Sequence, residues 1–128
     1  MKLIDTDVLI DHFHGNKFAL AFLDQTIASG ESLAISVVTL VELKAGIRPG
    51  EEETTNRLLS LFHIIPITEE IGHKAGEYLR LFHKTNGVEL GDALIAATSY
   101  IDNCELITRN QKHYPMEEIK VTIPYNRR

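Results

Sequence analysis

Cysteine is nearly absent: Cys104 stands alone among 128 residues. A single thiol excludes an intramolecular disulfide and any metal site built from clustered cysteines. No apolar run approaches the ~20 residues that cross a bilayer, and no leader is expected ahead of the first strand. These absences make a cytoplasmic location the expectation and leave no role for a membrane partner. No Gly-rich phosphate loop and no Ser-His-Asp pattern occur. The histidines lack ligand spacing: His12 and His14 are two apart and face apart on a helix, and His63, His73 and His83 fall in unrelated surroundings. Zinc is therefore not expected. Positive charge is also short, with a net charge of −5. Phosphate backbones usually meet basic surfaces, so the balance argues against nucleic acid. That argument lapses if several of the acids gather around a cation.

What remains is an ordinary globular composition, 44% hydrophobic and 24% charged. The length suits one domain, residues 1–128, with one core.

The chain is organised around its first ten residues. Leu3 and Ile4 form a short apolar run that stops at Asp5. A buried parallel strand looks like this when it ends at a site, because ligands bind beyond the carboxyl ends of such strands. The alternative is local: Asp5 caps the following helix, since Asp is a favoured N-cap. Periodicity predicts helices over residues 7–14, 16–29 and 38–47, one opened by Glu51, Glu52 and Glu53, a long one after Thr68, and one over 90–100. Leu20, Leu23 and Ile27 mark the second helix, with Gly30 behind it. Short apolar runs at 33–35, 64–65, 105–107 and 119–121 predict strands. Alternation of the two element types implies an α/β fold, a mostly parallel sheet with helices on both faces.

Three further positions carry oxygen donors where a surface explanation is weak. Glu42 has Val38, Thr39, Ala45 and Gly46 as its helical neighbours, so no local cation pairs with it. It is expected on a buried face, the alternative being a tolerated Glu at a helix edge. Asp92 opens a helix rich in small residues, Ala93, Ala96 and Ala97, where an acid also serves as a cap. Asn110 follows a strand within Thr108-Arg109-Asn110, where a turn explains it equally well. Asp5, Glu42, Asp92 and Asn110 are all hard oxygen donors, of the kind Mg²⁺ takes. Without a cation, converging carboxylates repel one another; with one, they make a centre for phosphodiester hydrolysis.

Asp5-Thr6, then Thr39-Leu40-Val41-Glu42-Leu43, then Gly91-Asp92-Ala93-Leu94-Ile95-Ala96-Ala97, then Thr108-Arg109-Asn110 resemble the PIN-domain ribonucleases. More narrowly, the series resembles the VapC toxins of VapBC toxin–antitoxin systems. The resemblance implies a parallel sheet flanked by helices, a Mg²⁺ or Mn²⁺ site, endonucleolytic cleavage of RNA, a homodimer and a small VapB-like antitoxin. Asp5, Glu42 and Asp92 match the family's three main acids, and Asn110 stands at a fourth position that is often Asp. One metal ion or two stays open there. Asp7 stands where the family commonly has Asn or Ser. Thr6 and Thr108 would hold the carboxylates by hydrogen bonds, with Asp7 an additional outer acid. Lys44, Arg48, Arg109 and Lys112 are candidates for RNA phosphates, each otherwise a solvated surface cation.

Two rival readings remain. Asp5-Thr6-Asp7-Val8 also resembles the Asp-x-Asp signature of haloacid-dehalogenase-type phosphatases, in which Asp5 would be a nucleophile. That family expects Thr or Val where Leu9 stands, and it gives Glu42 no role. The other rival is a PIN-like fold kept as a non-enzymatic binding module, which the retained acids disfavour.

Overall fold

Each short apolar run becomes a strand that splits its side chains between two helical layers. In the computed structural model, which describes residues 1–126, β1 (Lys2–Ile4) sends Leu3 into one core and Ile4 into the other. The same division holds in β2 (Leu33–Ser36), β3 (His63–Ile65) and β4 (Glu105–Ile107). There Ala34, Ile65 and Leu106 face one core, while Ile35, Ile64 and Ile107 face the other. A strand buried on both faces has no polar side, which is why these runs do not alternate in polarity. The fifth strand, β5 (Val121–Thr122), is a two-residue edge. It lies slightly beyond the expected 119–121.

The five strands run parallel in the order β3-β2-β1-β4-β5. The order reverses direction at β1, which pairs with both β2 and β4. That makes the carboxyl ends of β1 and β4 the switch point, where such sheets open a crevice.

One helical layer holds α5 (Glu69–Asn86) and α6 (Leu90–Ile101). Their Ile71, Ala75, Tyr78, Ala93 and Ala96 bury against Leu3 and Leu106. The other layer holds α1 (Thr6–Phe13), α2 (Lys17–Ala28), α3 (Val37–Ala45) and α4 (Glu52–Leu59). Polar caps set their starts: Asn16 accepts from Phe18 N at 2.9 Å, Ser36 from Val38 N at 3.0 Å and Thr68 from Ile71 N at 3.2 Å. Gly87 ends α5 at φ 70°, a left-handed conformation that glycine adopts without strain. On α2 the buried stripe is Ala19, Leu23 and Thr26, and Ile27 is exposed. Among the described residues no helix is long and apolar enough to cross a membrane.

Candidate active site at the switch point

Asp5 is both a helix cap and the residue at the switch point where β1 ends. It stands in extended backbone ahead of α1, and its Oδ1 accepts from Thr6 N at 2.8 Å. Its Oδ2 accepts from Thr108 Oγ1 at 2.8 Å and from Tyr114 Oη at 2.8 Å. The backbone N–H donates to Ile107 O, which ties the end of β1 to the end of β4. The residue is 7% exposed, so three donors meet a carboxylate that water hardly reaches. Buried Tyr114 is held among apolar side chains; burial first, then the Asp5 charge, pushes its phenol well above the usual range. It therefore stays a donor.

Glu42 comes from α3. Thr6 Oγ1 lies 2.6 Å from Glu42 Oε1 and 3.0 Å from Thr39 Oγ1. With one proton to give, the Thr6 hydroxyl donates to the carboxylate and accepts from Thr39. Glu42 is exposed, contrary to the expectation of a buried face. Of its four helical neighbours Thr39 is buried and Val38 half-buried, but Ala45 and Gly46 on the following turn are exposed, so the small residues there do not mark a buried face.

Asp92 opens α6 in a reciprocal capping box with Glu89, its Oδ2 accepting from Glu89 N at 3.4 Å. Its Oδ1 lies 3.7 Å from Nδ1 of His113. Burial raises the Asp92 pKa, and the charges of Asp5 and Glu42 push the same way against the Glu89 and His113 contacts. The charges of Asp5, just beyond β1, and of Glu42, on α3, thus both reach Asp92 on α6.

Asp7 lies closer to the centre than its sequence position suggested. Its Oδ2 accepts from Arg109 N at 3.1 Å and lies 3.3 Å from Thr108 Oγ1. Its Oδ1 is buried with no hydrogen-bond partner. Burial and then the Asp5 charge raise its carboxyl to about 6. Asn110 is exposed. Its backbone serves the turn: N donates to Thr108 Oγ1 at 3.0 Å, and O accepts from His113 N at 3.0 Å.

Arg109 is held differently from the other candidate cations. Its Nε sits 2.6 Å from Asp11 Oδ2, and the side chain is 11% exposed, so this cation pairs with Asp11 in a nearly buried setting. The N–H does not point along the contact, which is therefore a charge pair more than a directed hydrogen bond. Tyr125 Oη donates to the same Asp11 oxygen at 2.7 Å. Lys44, Arg48 and Lys112 do stand exposed, with Lys44 Nζ 2.5 Å from Asn56 Oδ1. Tyr114, Asp11 and His113 were missed from sequence. Tyr114 pairs with Asp5, and Asp11 with Arg109 and Tyr125, each across about a hundred residues, which no local spacing reveals.

The model of the PIN domain matches residues 2–119. The chain belongs to the PIN-domain family. Ribonuclease VapC10 of Mycobacterium tuberculosis is 42% identical over 119 residues, 92% of this chain and 89% of that protein. Ribonuclease VapC19 of the same organism is 35% identical over 117 residues, 91% of this chain and 94% of that protein. Among solved structures, a toxin–antitoxin complex from Klebsiella pneumoniae matches with a TM-score of 0.78 at 32% identity, covering 98% of both chains. Membership removes the phosphatase reading of Asp5 and Asp7. The α/β architecture and the parallel sheet of this PIN domain are as expected from its sequence.

Proposed function

We propose that this PIN domain is a VapC-type endoribonuclease, the toxin of a toxin–antitoxin pair, hydrolysing RNA at a Mg²⁺ or Mn²⁺ centre held by Asp5, Glu42 and Asp92. The observation that carries the site is geometric: Thr6 joins Asp5 to Glu42, its N–H on one carboxylate and its hydroxyl on the other, and both acids lie near enough to Asp92 for their charges to add to the burial that raises its carboxyl. Among the described residues no group of three His, Cys, Asp or Glu side chains closes into a ready cage. Mg²⁺ does not demand one, because it keeps several waters and takes one or two carboxylates. The donor set fits such an ion: every candidate ligand is a hard oxygen.

A bound divalent cation supplies Lewis acidity at the phosphate and an activated water at neutral pH. Asp5 and Asp92 would hold it. Glu42, fixed through Thr6, orients the attacking water or joins the ligands. Asn110 is the weaker fourth donor. Asp7, Thr6 and Thr108 hold the arrangement by hydrogen bonds. Lys44, Arg48 and Lys112 lead RNA phosphates toward it, a task made necessary by the acidic surroundings.

The antitoxin partner rests on the relatives' toxin–antitoxin assembly and on a groove beside Glu42. That groove holds about 220 Å³; its apolar lining is Ile10, Phe13, Leu43 and Ile47, beside polar His14, Glu42, Arg48, Glu51 and Thr55. It would take the apolar face of a small protein's helix. The homodimer rests on Val41 and Leu90, which expose apolar side chains on the packed pair α3 and α6. Sequencing the RNA ends made by purified protein, with Mg²⁺ and with chelator, tests the activity. Co-expression with a small neighbouring open reading frame, then a pull-down, tests the partner. Cleavage that persists in chelator would overturn the metal reading. The lack of any complex, and of any growth defect when the protein is expressed alone, would overturn the toxin reading.

A further inference from the structure

The geometry points to Tyr114 as a positioning residue that confines Asp5 to one-oxygen coordination and so favours Mg²⁺ over Ca²⁺. This rests on the metal reading above. A carboxylate oxygen has two lone-pair directions. On Asp5 Oδ2 both are taken, by Thr108 Oγ1 at 2.8 Å and by Tyr114 Oη at 2.8 Å. On Oδ1 the Thr6 N–H takes one and leaves one. Two-oxygen coordination would therefore break a hydrogen bond inside a site that is 7% exposed, where a lost partner is costly.

The two donors are not equivalent. Thr108 Oγ1 has a second acceptor, Asp7 Oδ2, at 3.3 Å. It can turn to Asp7 and free Asp5. Tyr114 has Asp5 Oδ2 as its acceptor, and its ring is 4% exposed among Ala93, Leu106 and Met116. It is the fixed member of the pair.

The cations respond differently to such a restriction. Mg²⁺ needs near-octahedral geometry and is content with single oxygens and waters. Ca²⁺ takes six to eight oxygens at longer distances and uses two-oxygen carboxylates freely. Locking Asp5 to Oδ1 therefore costs Ca²⁺ more than Mg²⁺. Removing the phenol hydroxyl unlocks it while keeping the ring in the core.

The experiment uses Mn²⁺ as the probe, its free fraction read by paramagnetic resonance. Mg²⁺ and Ca²⁺ are each titrated as competitors against wild type and Tyr114→Phe, with no RNA present. The expected result is a Mg²⁺/Ca²⁺ preference that falls about tenfold in Tyr114→Phe, within the range that outer contacts to metal ligands command. Thr108→Val should move the ratio the same way by less, and it replaces Tyr114→Phe as the test if that variant fails to fold. An unchanged ratio, or equal weakening of both cations, would show that Tyr114 only packs and would overturn the proposal. Absence of Mn²⁺ binding to wild type would overturn it together with the metal reading, a different failure from an unchanged ratio.

Discussion

Asp5 and Asp92 lie near enough for one charge to act on the other, yet the fold holds them by opposite means. Asp5 grows from the middle of the sheet, is 7% exposed, and accepts from a backbone N–H, a threonine and a tyrosine. Asp92 grows from the start of a helix, with one backbone contact at 3.4 Å and a histidine at 3.7 Å. The first wall is built before any cation arrives. The second carries a carboxyl whose charge is disfavoured by burial and by its neighbours, and which gains most from a cation. On the metal reading proposed above, Asp5 would be the fixed anchor of the centre and Asp92 the one that tightens on loading.

The largest effects come from deleting either charge. Asp5→Asn and Asp92→Asn are each expected to bring RNA cleavage down to background, measured as the rate of new ends on a defined RNA. Their stabilities should separate the two walls. In chelator, Asp5→Asn should melt lower by about 1–3 kcal/mol, since an amide nitrogen cannot accept from the donors now served. Asp92→Asn should melt no lower than wild type, because a disfavoured charge is removed. Equal melting of the two variants would erase the distinction.

The loop that carries Thr108 is next. Arg109 and Tyr125 both close on Asp11, which is 8% exposed, so Asp11→Ala strands a nearly buried guanidinium. A loss of about 3 kcal/mol is expected, as when one member of a buried pair is removed. Denaturant unfolding measures it. Asp92 touches none of these groups, so Asp92→Asn combined with Asp11→Ala should be additive. Coupling between them would show that the two walls move together.

Much of this architecture is legible in the chain, for a physical reason. Strands buried on both faces are apolar throughout and end abruptly, so Leu3-Ile4 before Asp5 and Leu106-Ile107 before Thr108 mark both edges of the crevice. The capping acids and hydroxyls mark most helix starts. Glu42 was found by its lack of a local cation, yet its exposure was misjudged, because exposed apolar residues imitate a buried face. The 3₁₀ turn Gln111–His113 is too short for any period to register. Tyr114 and Asp11 act through partners about a hundred residues away, and pairing at that distance is set by the fold, not by spacing.

Asp7 sharpens the comparison with a smaller effect and a clear sign. Burial and Asp5 lift its carboxyl from 3.8 to about 6, so the folded protein binds that proton more tightly than the unfolded chain. Its charge therefore costs stability fully above pH 6, and the cost disappears as pH falls through 6 toward 3.8. Asp7→Asn should be more stable than wild type by about 1–2 kcal/mol at pH 7.5 in chelator, less than the full shift implies because the native site relaxes. The gain should vanish near pH 4. Paired melting curves across that range check it; a gain independent of pH would mean that Asn merely packs better.

The smallest expected effect is at Asn110, outside both walls. Three formal negative charges, on Asp5, Glu42 and Asp92, face the two positive charges of one Mg²⁺. A second ion would leave the centre positive until an RNA phosphate arrived. One metal per chain is therefore expected without RNA, with any second ion entering alongside substrate. Asn110→Asp adds a charge, but on an exposed residue whose backbone already serves the turn. Water and salt weaken its pull on the cation. Asp7, an outer acid bonded to the same loop through Arg109 N, also opposes any negative charge added there. Mn²⁺ affinity should rise only about threefold, and more in an Asp7→Asn background, since each removed negative charge leaves the next one less opposed. Cleavage need not quicken, because the same charge repels phosphate. Calorimetric titration of Mn²⁺ into the single and double variants decides between the roles. Equal affinity in all of them would leave Asn110 as the opening residue of a turn and nothing more.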